Sequence, residues 1–178
     1  MGSTIWHVTQ SLDGFIAAPN DDMSWMDGSV STMPPLAKQV LDGVGAILGG
    51  RRWYDGAVAH HNGTAGIYGG AWHGPVFVVT HRALEAGDVT AVPGPIADAL
   101  ATARASASGK DVVILGAATA TQALEAGELD DIVVHIAPAL LGAGTRLIEA
   151  LPSPVRLELD VLNRTEQLAD LRYRVVRS

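Results

Sequence analysis

The sequence contains no cysteine, and that absence removes disulfides, thiolate nucleophiles, thiolate zinc sites and iron–sulfur clusters together. Redox chemistry on such a chain requires a bound organic cofactor. Positive charge is also scarce. Twelve Lys+Arg stand against 19 Asp+Glu, a net charge of −7, which disfavours a nonspecific nucleic-acid or membrane surface. Any anionic ligand must therefore be held by a local basic pocket. No apolar run approaches membrane-spanning length, and no charged leader precedes Ile5-Trp6, so neither a membrane nor a nucleic-acid partner is expected and cytoplasmic residence is the default.

What is present suits one folded domain over residues 1–178, with 48% hydrophobic residues and 20 glycines describing a turn-rich globular chain. Ile5 to Thr9 reads as a strand ending in the Ser11-Leu12-Asp13-Gly14 turn. Ala18 to Met33 reads as a loop, with Met23, Met26 and Trp25 giving a lid with an apolar tip or a surface loop whose tryptophan plugs the core. Pro34-Pro35 opens a helix through Leu36, Ala37, Val40 and Leu41, stopped by Gly43. Val44 to Leu48 is a second strand, a short helix begins near Arg51, and the glycine-rich stretch His60 to Trp72 shows no period. Val76 to Thr80 is continuously apolar, the pattern of a strand buried on both faces and placed centrally. Gly87 to Val92 suggests a short strand, Pro95 a helix closed by Gly109, and Val112 to Leu115 another buried strand. Gly116 then leads into a helix over Ala117 to Ala126. After Ile132 only strands remain, ending in a hairpin in which Val155, Leu157, Leu159 and Val161 alternate with charged residues, as do Leu171, Tyr173 and Val175. The pattern predicts a three-layer α/β/α domain with a mostly parallel mixed sheet and a C-terminal antiparallel hairpin.

In open α/β sheets ligands bind beyond the carboxyl ends of the strands. Four such places carry unusual residues. Gly49-Gly50 permits close approach to a backbone, and Arg51-Arg52 adds fork-shaped donors at a helix N-terminus, so the turn suits phosphate or is simply a glycine turn with two solvated arginines. Gly116-Ala117-Ala118-Thr119 repeats the glycine turn, and two such helix ends suit a diphosphate. Thr80-His81-Arg82 suits the extra ribose phosphate of NADP. For the proton that accompanies a hydride, Asp13 stands first and Asp55 second, with Asp27 beyond the lid tryptophan. His60-His61 reads as surface rather than a metal site, and no metal is expected. A hydrolytic grouping of Ser11, Asp13 and His135 is rejected because no nucleophile elbow occurs.

The motifs Ser11 to Ala17, Ile47 to Arg52, Pro75 to Arg82, Val113 to Gly116 and His135 to Leu147 occur in the order seen in the dihydrofolate-reductase-like superfamily. Within it the chain resembles the C-terminal reductase domain of the bifunctional riboflavin-biosynthesis deaminase-reductase. This resemblance implies an NADPH-dependent reductase of a small heterocyclic substrate, similar to 5-amino-6-(5-phosphoribosylamino)uracil reductase, and a homodimer. It implies that Gly49, Gly50, Arg51 and Arg52 meet the cofactor phosphates. Thr80, His81 and Arg82 would lie on the adenosine side, and Gly116, Ala117, Ala118, Thr119 and Ala120 on the diphosphate and nicotinamide side. Thr9, Asp13, Ile16 and Ala17 would border the nicotinamide, and Trp25, Asp27 and Tyr54 the substrate.

The departures are equally specific. Val30 to Lys38 lacks the carboxylate with which the folate enzyme holds its pterin, so dihydrofolate reduction is not expected. Trp53 stands where the family often has Thr, and Ala117 replaces a glycine. The deaminase half is absent, since its zinc site needs cysteines. A noncatalytic NADP(H)- or small-ligand-binding protein on the same fold is the other reading.

Overall fold

A computed structural model describes residues 2–26, 31–60, 63–84 and 89–177. Strand β1 (Thr4–Ser11) is followed by β2 (Phe15–Ala17) and by 3₁₀ turns at Pro19–Asp21 and Ser24–Met26. Next come α1 (Pro35–Gly43), β3 (Val44–Gly50) and α2 (Arg51–His60). A 3₁₀ stretch over Gly63–Gly70 precedes β4 (Val76–Val79), β5 (Thr90–Val92), α3 (Ile96–Ser106), β6 (Asp111–Leu115) and α4 (Ala117–Glu125). The chain ends with β7 (Asp131–Ala137), β8 (Thr145–Arg146), β9 (Leu157–Thr165) and β10 (Leu168–Val175).

Eight strands form one sheet in the order β5-β4-β3-β6-β1-β7-β10-β9. The first six run parallel, β10 is antiparallel to them, and β9 pairs antiparallel with β10 and so returns to their direction. Strands β2 and β8 make a separate antiparallel ribbon. Because side chains alternate along a strand, neighbours such as Ile5 and Trp6, or Ile47 and Leu48, enter opposite cores. One core joins Trp6, Leu48 and Ile114 to Leu100 and Ala103 of α3 and Ala120 of α4. The other joins Ile5, Ile47 and Val133 to Leu36 and Val40 of α1.

Two expectations need correction, and one stretch that carried no assignment gains a structure. Strand β4 is next to the edge, not central; its two faces are buried all the same, and among the described residues only the three-residue β5 lies beyond it. The aperiodic stretch after α2 is a 3₁₀ segment broken by left-handed residues, Tyr68 at φ +53° and Gly69 at φ +65°, with Ile67 buried. Left-handed residues break any helical period. In the hairpin the register shifts so that Tyr173 pairs with Leu159 and Arg172 with Val161. This bulge at Asp160 turns Val161 toward the α1 core and puts Leu162 on the face of Leu157 and Leu159. All three leucines are exposed.

Candidate functional site

Parallel pairing brings the carboxyl ends of β1, β3, β4, β6 and β7 to one edge, with Gly50 beside Val79, Gly49 beside Leu115 and Ser11 beside Ala137. Strand β3 ends at Gly50 and α2 begins at once; β6 ends at Leu115 and α4 follows Gly116, whose φ of +97° only glycine adopts freely. A β-carbon on Gly50 would lie 2.4 Å from the Thr119 hydroxyl, and one on Gly49 would lie 2.1 Å from the Trp53 ring. A β-carbon on Gly116 would lie 3.0 Å from Trp53 Cβ. The two turns thus converge, with the indole packed against both. Among the described residues no side chain caps the N-terminus of α4, so its first N–H groups are available to an anion.

Beside these turns is a groove of about 570 Å³ lined by Asn20, Asp21, Arg51, Arg52, Asp55 and Arg82 among others. Arg51 Nε donates to Asp55 at 2.7 Å and its Nη1 donates to the Ala83 carbonyl at 2.9 Å. Arg52 donates to both oxygens of Asp21, at 2.7 Å for the shortest contact, and this bond holds its guanidinium firmly protonated. Arg82 reaches Asp55 only at 4.0 Å. Among the described residues that line the groove, three guanidinium groups face the carboxylates of Asp21 and Asp55, and an incoming phosphate would displace carboxylates rather than water alone.

Asp13 has a different occupation. Its carboxylate accepts from Ser11 Oγ at 2.6 Å, from Gly142 N at 2.7 Å and from Leu141 N at 3.1 Å. Led by the Ser11 bond, these contacts lower its pKa to about 2. Leu12 N donates to the Ala139 carbonyl and Leu147 N to that of Gly14. A β-carbon on Gly144 would come within 2.0 Å of the Ala17 carbonyl. Asp13 is therefore the clasp of a loop laced closely to the β1–β2 turn, ionised except in strong acid and poorly suited to giving a proton near neutral pH.

The remaining predicted positions divide. Thr9 and Ile16 are half-buried and Ala17 is buried near the clasp. Thr80 is buried and its Oγ1 accepts from Arg82 N at 3.1 Å, while His81 and Ala118 are exposed and Ala117 is half-buried. Ala120 faces the core instead of the edge. Tyr54 is 2% exposed, with the Arg51 guanidinium 5.8 Å from its ring centre. Trp25 is half-buried in the Ser24–Met26 turn, and its Nε1 is buried with no hydrogen-bond partner among the described residues. Asp27 and His61 lie outside the described residues.

Sequence reasoning missed a buried polar chain on the α1 side of the sheet. Tyr68 Oη lies 2.7 Å from His7 Nδ1, His7 Nε2 lies 2.8 Å from His135 Nε2, and His135 Nδ1 lies 2.5 Å from Asp170 Oδ1. Thr165 Oγ1 donates to Asp170 Oδ2 at 2.5 Å. Asp170 is wholly inaccessible and His135 is 3% exposed. Burial, followed by the neighbouring His135 ring, pushes the pKa of His7 down to about 3, and burial raises that of Tyr68. A signal existed: His7 stands between Trp6 and Val8, and His135 between Val134 and Ile136, and a buried imidazole requires partners. Those partners are not Ser11 or Asp13, which bond to each other.

The family model described as the RibD C-terminal domain matches residues 3–168. No curated protein matches the chain. Among solved structures, a protein from Shewanella sp. PV-4 assigned to riboflavin biosynthesis superposes with a TM-score of 0.83 at 22% identity, covering 98% of this chain and 99% of that one. The diaminohydroxyphosphoribosylaminopyrimidine deaminase/5-amino-6-(5-phosphoribosylamino)uracil reductase of Thermotoga maritima gives 0.66 at 14% identity, over 98% of this chain and 57% of that one. Enterococcus faecalis dihydrofolate reductase complexed with NADP(H) gives 0.62 at 14% identity, over 98% and 96%.

Proposed function

Because the chain belongs to the RibD C-terminal domain family, we propose that it is a reductase that uses NADPH to reduce a small pyrimidine-type substrate, like that of the uracil reductases. The observation that carries this reading is the convergence of two glycine turns beside a three-arginine groove at the carboxyl edge of a parallel sheet. The residues fit the cofactor: Gly50 and Gly116 leave space where a side chain would intrude, the α4 N-terminus lacks a side-chain cap among the described residues, and Arg51, Arg52 and Arg82 supply phosphate donors. The bound nicotinamide would supply the hydride. Gly49 to Arg52, Thr80 to Arg82 and Gly116 to Thr119 would bind and orient it, and the Asp13 clasp would fix the loops around it.

A folate-type mechanism is not favoured. The buried face of α1 is Leu36, Ala37 and Val40, and its one acid, Asp42, is exposed and paired with Lys38 at 2.7 Å. The exposed leucines of β9 fit a homodimer. Among the described residues no helix is long and apolar enough to cross a membrane, and the reading includes cytoplasmic residence.

The test is to incubate purified protein with NADPH and 5-amino-6-(5-phosphoribosylamino)uracil and follow NADPH absorbance. Turnover abolished by loss of the arginine groove is expected. NADPH binding by calorimetry without turnover on a panel of pyrimidines and pterins would leave a binding protein, and no NADPH binding at all would reject the reading.

A further inference from the structure

The buried chain from Tyr68 to Asp170 has a proton count that chemistry constrains. Asp170, fully enclosed, receives the Thr165 hydroxyl proton on one oxygen and faces His135 Nδ1 with the other, so an ionised Asp170 fixes the proton of His135 on Nδ1. Two ring nitrogens facing each other at 2.8 Å form a hydrogen bond only with a single proton between them. That proton belongs to one ring or the other, and the choice sets everything beyond it.

If it belongs to His7, both rings are neutral, His7 Nδ1 is a bare lone pair, and Tyr68 O–H donates to it. If it belongs to His135, that ring is an imidazolium against Asp170. His7 then accepts at Nε2 and donates from Nδ1 to the Tyr68 oxygen, and the phenol proton turns away from the chain. The two states differ by one proton and interconvert along existing hydrogen bonds. In the second, the positive ring offsets the buried carboxylate, which burial favours.

We propose that Tyr68, His7, His135 and Asp170 form a proton relay that stores one proton beside Asp170 and presents it at the Tyr68 hydroxyl. Its use in catalysis rests on the reductase reading; its existence does not. Bound NADPH would supply a hydride to a substrate carbon and leave as NADP⁺, and the Tyr68 proton would pass to the adjacent substrate heteroatom. His7 Nδ1 reprotonates Tyr68 and His135 Nε2 reprotonates His7, so one proton is delivered and His135 returns to neutral. The ring of His7 resists a charge of its own, its pKa standing near 3 through burial, which leaves His135 as the store.

The setting agrees. Tyr68 is held at φ +53°, in the left-handed region that non-glycine residues seldom adopt, with its ring stacked on His7 at 5.4 Å between centroids. Thr9 shares the β1 face of His7, one step nearer the strand ends, and is level with His135. From β10, Arg172 is two residues from Asp170 and is held by Asp131 at 2.9 Å, with Asp160 of β9 at 4.0 Å. From α1, Lys38 and Asp42 neutralise each other outside.

Nitrogen-15 spectra of the histidine rings between about pH 5 and 9 test the relay without any substrate. The expected result is that His7 exchanges its protonated nitrogen from Nε2 to Nδ1, as pH falls, at the midpoint at which His135 becomes doubly protonated. Fixed neutral tautomers throughout, or two independent midpoints, would overturn it. With the uracil substrate, Tyr68→Phe is expected to lower kcat by about a hundredfold, leave the NADPH KM unchanged and remove the solvent isotope effect; unchanged kcat would overturn delivery through Tyr68. Absence of turnover by the intact protein would instead count against the reductase reading, with the spectra still deciding the relay.

Discussion

The Thr119 hydroxyl occupies the space that a side chain on Gly50 would need, 2.4 Å from the position of its β-carbon. The end of β3 and the first turn of α4 are thereby fitted to each other at the proposed diphosphate site, and the fit can be tested from both sides. Gly50→Ala should displace Thr119, disturb the α4 N-terminus and weaken NADPH binding by about tenfold or more. The Thr119 β-carbon is 3.8 Å from the same point, an ordinary contact. Adding Thr119→Ala should therefore recover part of the loss, a non-additivity that calorimetry would measure; strictly additive losses would reject the steric account.

Arg51→Ala should weaken NADPH binding by about 10- to 150-fold, since charge-assisted hydrogen bonds contribute roughly 1.5–3 kcal/mol. The opposite change is expected at Asp21. Its carboxylate now occupies Arg52, so Asp21→Asn should free that guanidinium and tighten binding by a few-fold. Titrations by fluorescence at two salt concentrations would check both, with weaker binding at high salt. An unchanged affinity in Arg51→Ala would remove the arginine from the cofactor site.

Asp13 sets a pH dependence whose direction is determined by its lowered pKa. A carboxyl depressed from 3.8 to about 2 in the folded protein contributes stability that is complete above the unfolded value and is lost as pH falls through the folded one. Asp13→Asn should lower the thermal midpoint at neutral pH and flatten the acid limb of the stability profile between about pH 4 and 2. Thermal melts across that window measure this. A variant with the same acid limb as the wild-type protein would show that the clasp is energetically silent.

Leu157, Leu159 and Leu162 make an exposed stripe on one face of the outermost strand. If they join two copies, Leu159→Glu should weaken the dimer by at least about thirtyfold, seen as monomer in sedimentation at micromolar concentration. Val161 faces the other way, and Val161→Thr should leave the oligomeric state alone. Wild-type protein that sediments as monomer would reject the homodimer.

The architecture was readable because its signals are local. Apolar runs such as Val112 to Leu115, and glycine stops such as Gly43 and Gly127, mark strands and helices directly. The position of β4 was not readable, since a strand covered by helices on both faces looks alike at the centre or beside a short edge. The Asp160 bulge was hidden because an alternating pattern shows the face of each residue only while the register holds. The placement of Gly50, Arg51 and Gly116 at strand ends and helix starts was legible from chain-local reasoning. The clasp role of Asp13 was not, because its partners at Leu141 and Gly142 are more than a hundred residues away.

The sequence by itself determined that this chain folds as strands and helices in parallel alternation, that it holds no thiol chemistry, and that its glycine turns and arginines stand at strand ends. Periodicity, turn residues and the absence of cysteine are properties of neighbouring residues and need no partner. Only the tertiary structure decided which polar groups meet. His7, Tyr68, His135 and Asp170 come from four separate segments, and their hydrogen bonds exist because parallel pairing of β1 with β7, and antiparallel return of β10, enclose them where water cannot replace a partner.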